Sequence, residues 1–372
     1  MSKKSNRPKE KLKDSAIRDV YADNFQEEIK CLSLLLQKYN YVSMDTEFPG
    51  VVFQSSLNSR EAYYRTIKTN VDKLKLIQVG ITISDERGNF PENVCTWQFN
   101  LKFDLNSDQY SNESIALLTN SGINFECLQN RGIPHDLFAE YLITSGLVLN
   151  EDIHWVSFHG IYDFAYFLRA VTNLPLPETE TLFFDSLKVY FTNFYDIRFL
   201  VRFTDNFRGS LAKLGQELNI PRIGTQHQAG SDSLITAEIF FKLKKDYLSE
   251  ETWRNDKNVL FGIGQGLEDS DSYSNQYQNL KFNSGSNNYY DFNYYQQQNL
   301  MNMQYNYMRN REYFMNNVGN VNLNQGMSNM NPMPNMLNQN SYFPYGGYSM
   351  NMWNRENNQE DAKKKYKGVL ED

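Results

Sequence analysis

Asp45 and Glu47 stand two residues apart in YVSMDTEF, a run whose composition reads as a strand ending at the acids. Side chains at i and i+2 of a strand project from one face, so the two carboxylates lie side by side while Val42, Met44 and Thr46 face the other way. Like charges that close are unfavourable unless they share a proton or a cation, which makes a divalent metal the natural third party. The spacing alone is weak evidence, because Glu178-Thr179-Glu180 repeats it in a loop and a solvated strand end is the plainer reading. Asp163 follows the strand-like HWVSFH by a short turn and opens a helix, near a strand's carboxyl end, where α/β sheets build sites. Asp232 falls in the first turn of a later helix, and His227 lies five positions earlier in the loop TQHQAG. Taken singly, Asp163 and Asp232 read equally as helix caps or dipole partners, and His227 as a surface histidine.

The elements that must hold these residues are legible in the front of the chain. Phe25, Ile29, Leu32 and Leu36 recur at helical spacing ahead of the first strand. KLIQVGITIS and TWQFNLKF read as two further strands, joined through Glu86-Arg87-Gly88-Asn89 and Pro91 as an antiparallel connection, so that the first three strands form a meander. Helical patterns follow at SIALLTNS and HDLFAEYLITSG, then the buried strand HWVSFH and a helix carrying Phe164, Phe167, Leu168 and Val171 on one face. TLFFDSLKVYF and SLAKLGQEL read as helices, YDIRFLVRF as a short strand or helix, and a last helix runs from near Ser231 to about Tyr247. A meander followed by strand and helix in alternation predicts an α/β fold: a mixed sheet, antiparallel meander plus parallel strands, flanked by helices on both faces.

At 372 residues the length allows one large domain or two. Residues 1–19 form a charged, basic arm read as disordered, residues 20–266 the patterned domain, and residues 267–372 a tail dominated by Asn, Gln, Met, Tyr and Ser. Ten of the twelve methionines fall in that tail, which has no apolar period and is expected to be disordered and prone to self-association. Its basic end, Lys363 to Lys367, is read as solubilising. No run approaches the roughly 18 apolar residues of a membrane span, so no membrane partner is expected. Cys31, Cys95 and Cys127 lie far apart, which excludes a disulfide framework or zinc finger and suits a reducing compartment. The net charge of −7 argues against coating nucleic acid by bulk electrostatics, yet leaves room for a nuclease whose positive charge comes from metals.

Taken together, an Asp and a Glu on the first strand, a distant Asp after an aromatic residue, and H-x4-D opening a final helix make the ordered pattern of DEDD-type 3′-to-5′ exonucleases with histidine. Four such carboxylates can hold two divalent ions about 3.5 to 4 Å apart, one generating hydroxide and one stabilising the leaving 3′-oxygen. His227 then takes the proton of the attacking water.

The text around each acid is more specific still. YNYVSMDTEFPGVV, NVDKLKLIQVGIT, TWQFNLKF, SIALLTNSGINF, WVSFHGIYDF and RIGTQHQAGSDSLIT resemble, in order, the Caf/Pop-type poly(A) ribonuclease of the Ccr-Not deadenylase complex, over residues 20–266. The resemblance implies a ribonuclease H-like fold that removes adenylates from the 3′ end of messenger RNA, releasing 5′-AMP with two divalent metal ions, Mg2+ or Mn2+. It assigns Asp45, Glu47, Asp163 and Asp232 as metal ligands and His227 as general base, acting on the 3′ end of poly(A) RNA. It also implies as partners a large Not-type scaffold subunit and a leucine-rich-repeat deadenylase subunit, in the cytoplasm with a nuclear share. Gly160-Ile161, where the family carries a small polar residue and a variable one, and Thr225, where it carries proline, are departures that touch loop rigidity rather than ligands.

His159 is read as a hydrogen-bonded residue beneath the site or as an RNA contact. Arg65, Lys68, Lys73 and Lys75 are phosphate contacts or solvated charges, and Phe48, Pro49 and Phe53 stack an adenine or pack beneath the site. The competing readings are a catalytically weak DEDD-fold adaptor and an RNA-granule scaffold protein that works through its tail. A nuclease acting on DNA or structured RNA ends is a third, since no motif encodes 2′-hydroxyl or adenine preference.

Overall fold

The computed structural model describes residues 16–55, 59–202, 207 and 209–264. Most of the basic arm, and the whole low-complexity tail with its lysines, lie outside the described residues. The first element is one the sequence patterns did not reveal: β1 (Ile17–Val20), which begins just ahead of the boundary drawn at residue 20. α1 (Phe25–Leu35) buries Phe25, Ile29, Leu32 and Leu35 and leads into β2 (Tyr41–Glu47). Next comes α2 (Arg60–Lys73), whose start is capped by Ser59 accepting from the Ala62 amide. β3 (Gln78–Ser84) and β4 (Thr96–Asn100) complete the meander.

Three helices follow, α3 (Asn112–Asn120), α4 (Phe125–Arg131) and α5 (His135–Thr144). β5 (His154–Ser157), α6 (Ile161–Thr172), α7 (Glu180–Tyr190) and β6 (Asn193–Asp196) then alternate. YDIRFLVRF resolves both ways: it supplies the end of β6 and the single turn α8 (Ile197–Leu200). The chain finishes with α9 (Leu211–Glu217), α10 (Ala229–Asp246), which starts two residues before Ser231, and α11 (Glu250–Asn255).

The strands form one mixed sheet in the order β1-β4-β3-β2-β5-β6. β2, β3 and β4 pair antiparallel as the meander predicts, while β5 and β6 extend the sheet parallel to β2, and β1 closes the other edge parallel to β4. Helices cover both faces. Tyr41 of β2 meets Phe240 and Phe241 of α10 on one side, whereas Trp155 of β5 meets Phe167 of α6 on the other. The alternation of β2 therefore turns Tyr41, Ser43, Asp45 and Glu47 toward the α10 side and Val42, Met44 and Thr46 toward α6. Among the described residues no helix is long and apolar enough to cross a membrane.

Candidate active site

Asp45 and Glu47 end β2 on the face that α10 covers, and the close fit of that helix begins with a missing side chain. Gly80 of β3 stands opposite Asp45 in the ladder. A Cβ at Gly80 would lie 1.9 Å from the Ala229 carbonyl oxygen, so glycine alone lets the first turn of α10 rest on the strand. Gln78 and Gln98, on β3 and β4, fix that turn by accepting from the Ala229 and Gly230 amides at 2.8 and 3.0 Å.

Asp232, in this anchored turn, is 5% exposed. Its Oδ1 accepts from Arg222 Nη1 at 2.5 Å and its Oδ2 from the His227 amide at 2.8 Å. The second bond folds the loop back so that His227 adopts φ 61°, a left-handed conformation uncommon for a residue with a side chain. One result is a cluster: Glu47, His227 and Asp232 each offer a donor atom, all within 4.8 Å of one another.

Asp163 arrives from the other side of the sheet, on the first turn of α6. Its Oδ1 accepts both from the Thr46 amide, at 2.8 Å, and from Thr46 Oγ1, at 2.6 Å. Thr46, between Asp45 and Glu47, thus ties the third acid to the strand that carries the first two.

Electrostatics shows how crowded the acids are. Asp45 is held well above the usual carboxylate range by burial first, then by the charges of Asp163, Asp232 and Glu47, with Arg222 pulling the other way. Glu47 is raised likewise by burial and by Asp232 and Asp163. Burial lifts Asp163 to about 7 despite the Thr46 hydrogen bonds that oppose it. Carboxylates that repel one another, with an imidazole beside them and Arg222 the cation bonded to Asp232, make an oxygen-rich donor set suited to hard divalent cations such as Mg2+ and Mn2+. All five residues singled out from the sequence therefore converge at one edge of the sheet.

Other residues fall differently. Lys68 is engaged by Asp72 and Glu178, Lys75 by Asp108, and Lys73 lies over the Phe53 ring. Phe48 stacks against Tyr162 and Tyr166, centroids 5.2 and 5.0 Å apart, which favours packing over a free stacking platform. His159 takes φ 57° and turns its ring edge-on to Phe261 at 5.4 Å, while its amide donates to Asp196 Oδ1 at 2.8 Å.

Asp196, a residue the sequence patterns did not single out, is fully buried at the end of β6. Its carboxylate also accepts from the amides of Arg198, Gly160 and Phe261, at 2.9, 3.3 and 3.0 Å. It thereby clamps the turn that presents Asp163. The signal was present: like Asp45, Asp196 ends a short strand at the carboxyl edge of the sheet.

Comparison with known proteins agrees with this geometry. Residues 20–140 match the model of the CAF1 family ribonuclease. The chain is 47% identical over 253 residues to poly(A) ribonuclease pop2 of Schizosaccharomyces pombe, covering 67% of this chain and 76% of that protein. It is 45% identical over 266 residues to the probable CCR4-associated factor 1 homolog 7 of Arabidopsis thaliana, covering 68% and 96%. Among solved structures it is similar to S. pombe Pop2p in its Mg2+ and Mn2+ bound form, with a TM-score of 0.64 over 67% of this chain and all of that one at 47% identity. A second neighbour is the yeast NOT1 MIF4G domain co-crystallized with CAF1, with a TM-score of 0.57 at 31% identity, over 66% of this chain and 96% of that one.

Proposed function

The chain belongs to the CAF1 family of ribonucleases, and from that premise we propose that it is a poly(A)-specific 3′-to-5′ exoribonuclease, the catalytic subunit of a Ccr-Not type assembly. It is a nuclease. The observation that carries it is the convergence of Asp45, Glu47, Asp163, Asp232 and His227 at one sheet edge, in a chain 47% identical to a poly(A) ribonuclease. Dependence on divalent cations is supported by the Mg2+ and Mn2+ bound form of the S. pombe relative.

In this reading Asp45, Glu47, Asp163 and Asp232 would hold two divalent ions, which would supply Lewis acidity to the hydrolysis of the 3′-terminal phosphodiester. The other steps belong to the chain's own groups. His227 accepts the proton of the attacking water, its position set by the bond from its amide to Asp232. Thr46 fixes the orientation of Asp163, and Arg222 fixes that of Asp232. Hydrolysis of the last linkage releases 5′-AMP and leaves a new 3′-hydroxyl for the next round.

A Not-type scaffold as partner is supported by the yeast CAF1 relative, solved with the NOT1 MIF4G domain. A leucine-rich-repeat deadenylase as second partner, cytoplasmic residence with a nuclear share, and a nuclease unit confined to residues 20–266 follow from the sequence resemblance. The test uses the purified chain, a 5′-labelled RNA ending in adenylates and a matched RNA ending in cytidylates, each with Mg2+, Mn2+ or EDTA. The expected result is a one-nucleotide ladder confined to the adenylate RNA, lost with EDTA and with Asp45→Ala, and retained when the chain is ended at Gly266. Equal degradation of both RNAs would overturn the adenylate specificity. No cleavage by the folded, metal-supplied chain would turn the reading to the adaptor.

A further inference from the structure

At the end of the sheet away from the acids, the start of β2, the start of β5, β6 and the last turn of α10 wall a cavity of about 760 Å³. Four residue steps along β2 separate Tyr41 in its wall from Asp45 and six separate it from Glu47, spans of about 13 and 20 Å at the usual strand rise. The cavity is therefore distinct from the site already described. Its floor is aromatic: the rings of Tyr41 and His154 stack 4.6 Å apart at 11°, and His154 and Tyr195 continue the row at 6.2 Å and 18°. Trp253 of α11 meets Tyr195 edge-on at 5.8 Å and is only partly covered.

Lys244 Nζ sits 4.7 Å from the Tyr41 ring centre and 4.3 Å from that of Trp253. It bonds the Tyr41 hydroxyl at 3.3 Å, which leaves donors of its ammonium uncommitted. His154, Lys244 and Lys257 all line the cavity; burial lowers the pKa of Lys244, and burial, then Lys257 and Lys244, lower that of His154. Among the described residues neither lysine forms an ion pair, whereas Arg254 is taken by Glu250 at 2.6 Å. Lys244, Arg254 and Lys257 outnumber Glu86 and Glu250 in the lining, which gives the cavity a positive balance in a chain of net charge −7.

Aromatic walls, a concave volume in the range of about 300 to 1,000 Å³ typical of ligand sites, and a few convergent cations suit a planar ring joined to a single phosphate. Glu86 and Glu250, also in the lining, oppose a multiply acidic peptide or an extended run of phosphates. We infer that this cavity is a second nucleotide site, taking one nucleoside monophosphate unit with its base against Trp253 and the stacked rings and its phosphate on Lys244 and Lys257. The unit comes either as a free mononucleotide or as one residue of a bound RNA strand. The site does not depend on the hydrolytic reading of the acids at the other end of the sheet.

The test titrates the full chain, in EDTA to silence hydrolysis, with 5′-AMP, with oligoadenylates of increasing length and with inorganic phosphate. Binding is read by calorimetry and tryptophan fluorescence. Lys244→Gln and Lys257→Glu remove the phosphate contacts, and Lys257→Arg preserves the charge. Circular dichroism and melting temperature check each fold. The expected result is at least tenfold weaker nucleotide binding in Lys244→Gln and Lys257→Glu, and near wild-type binding in Lys257→Arg. A free nucleotide as ligand shows the loss with 5′-AMP itself. A strand as ligand shows it only with oligomers long enough to cross the sheet. Lysine variants that bind every nucleotide ligand as wild type does, or inorganic phosphate that binds as tightly as 5′-AMP, would overturn the assignment.

Discussion

Replacing Gly80 with alanine tests how the site is assembled without touching any acid. The new Cβ would meet the Ala229 carbonyl oxygen at 1.9 Å, the Ala229 carbonyl carbon at 2.2 Å and the Gly230 amide at 2.7 Å, all backbone atoms that no side-chain rotation removes. Real Cβ contacts essentially never fall below 3.0 Å, so the first turn of α10 must retreat from 1.9 to 3.0 Å, at least 1.1 Å. That turn carries Asp232, and a misplacement of about 1 Å in a catalytic array costs on the order of 100-fold in rate. Overpacking of this kind also destabilises by about 1 to 3 kcal/mol. At roughly 2 to 4 °C per kcal/mol the melting temperature falls by about 2 to 12 °C.

Turnover on an adenylate-tailed RNA and a thermal melt measure both effects. Ile81→Val serves as control, because Ile81 is fully buried on the opposite face of the same strand. It loses about 0.5 to 1.5 kcal/mol of packing with α10 left in place, and turnover should hold near wild type. A Gly80→Ala chain with wild-type turnover and melting temperature would refute the claim that this glycine positions the helix.

Thr46→Val keeps the backbone bond to Asp163 but deletes the 2.6 Å bond from Oγ1. A hydrogen bond to a charged group contributes about 1.5 to 3 kcal/mol, so the rate at limiting Mn2+ should fall about 10- to 150-fold and the metal midpoint should rise, as metal titrations of the rate will show. His135, whose Nε2 lies 2.9 Å from the Leu76 carbonyl, has its pKa lowered by burial. The folded chain then binds fewer protons than the unfolded one, so the stability from the neutral ring is complete above the unfolded value of about 6.5 and is lost as pH falls through it. Melting temperatures between about pH 7 and pH 5.5 should therefore drop less in His135→Gln than in wild type, and an identical drop in both would refute the linkage.

How far the sequence foretold this molecule depended on how each element announces itself. The meander was legible because KLIQVGITIS and TWQFNLKF are dense in β-branched and aromatic residues with a turn between them. α6 and α10 were legible because their apolar stripes are broad. α2 was not: REAYYRTIKTNVDK is mostly polar and buries only a thin line of Ala62, Tyr64, Ile67, Asn70 and Val71, so its lysines read as loop charges. β1 was hidden for the same reason, four residues with two apolar anchors at the end of a charged arm. Asp45, Glu47, Asp163, Asp232 and His227 stood out because carboxylates at strand and helix ends form a recognisable order. Their supports did not, since Thr46, Arg222, Gly80 and Asp196 act through contacts made only once distant segments meet.

Asp196 joins more than the two sides of a turn. One oxygen pair receives amides from His159 and Gly160, which lead into the helix of Asp163, and from Phe261, near the end of the described chain. The polypeptide is thus fastened to the root of its own third acid by the last of the described segments. Any shortened version must keep Phe261. A cut just before it would strip a donor from a fully buried charge and loosen the turn beneath Asp163, although no acid had been removed. The usable right-hand limit for expression lies beyond residue 261, where a boundary drawn from α11 alone would have stopped too soon.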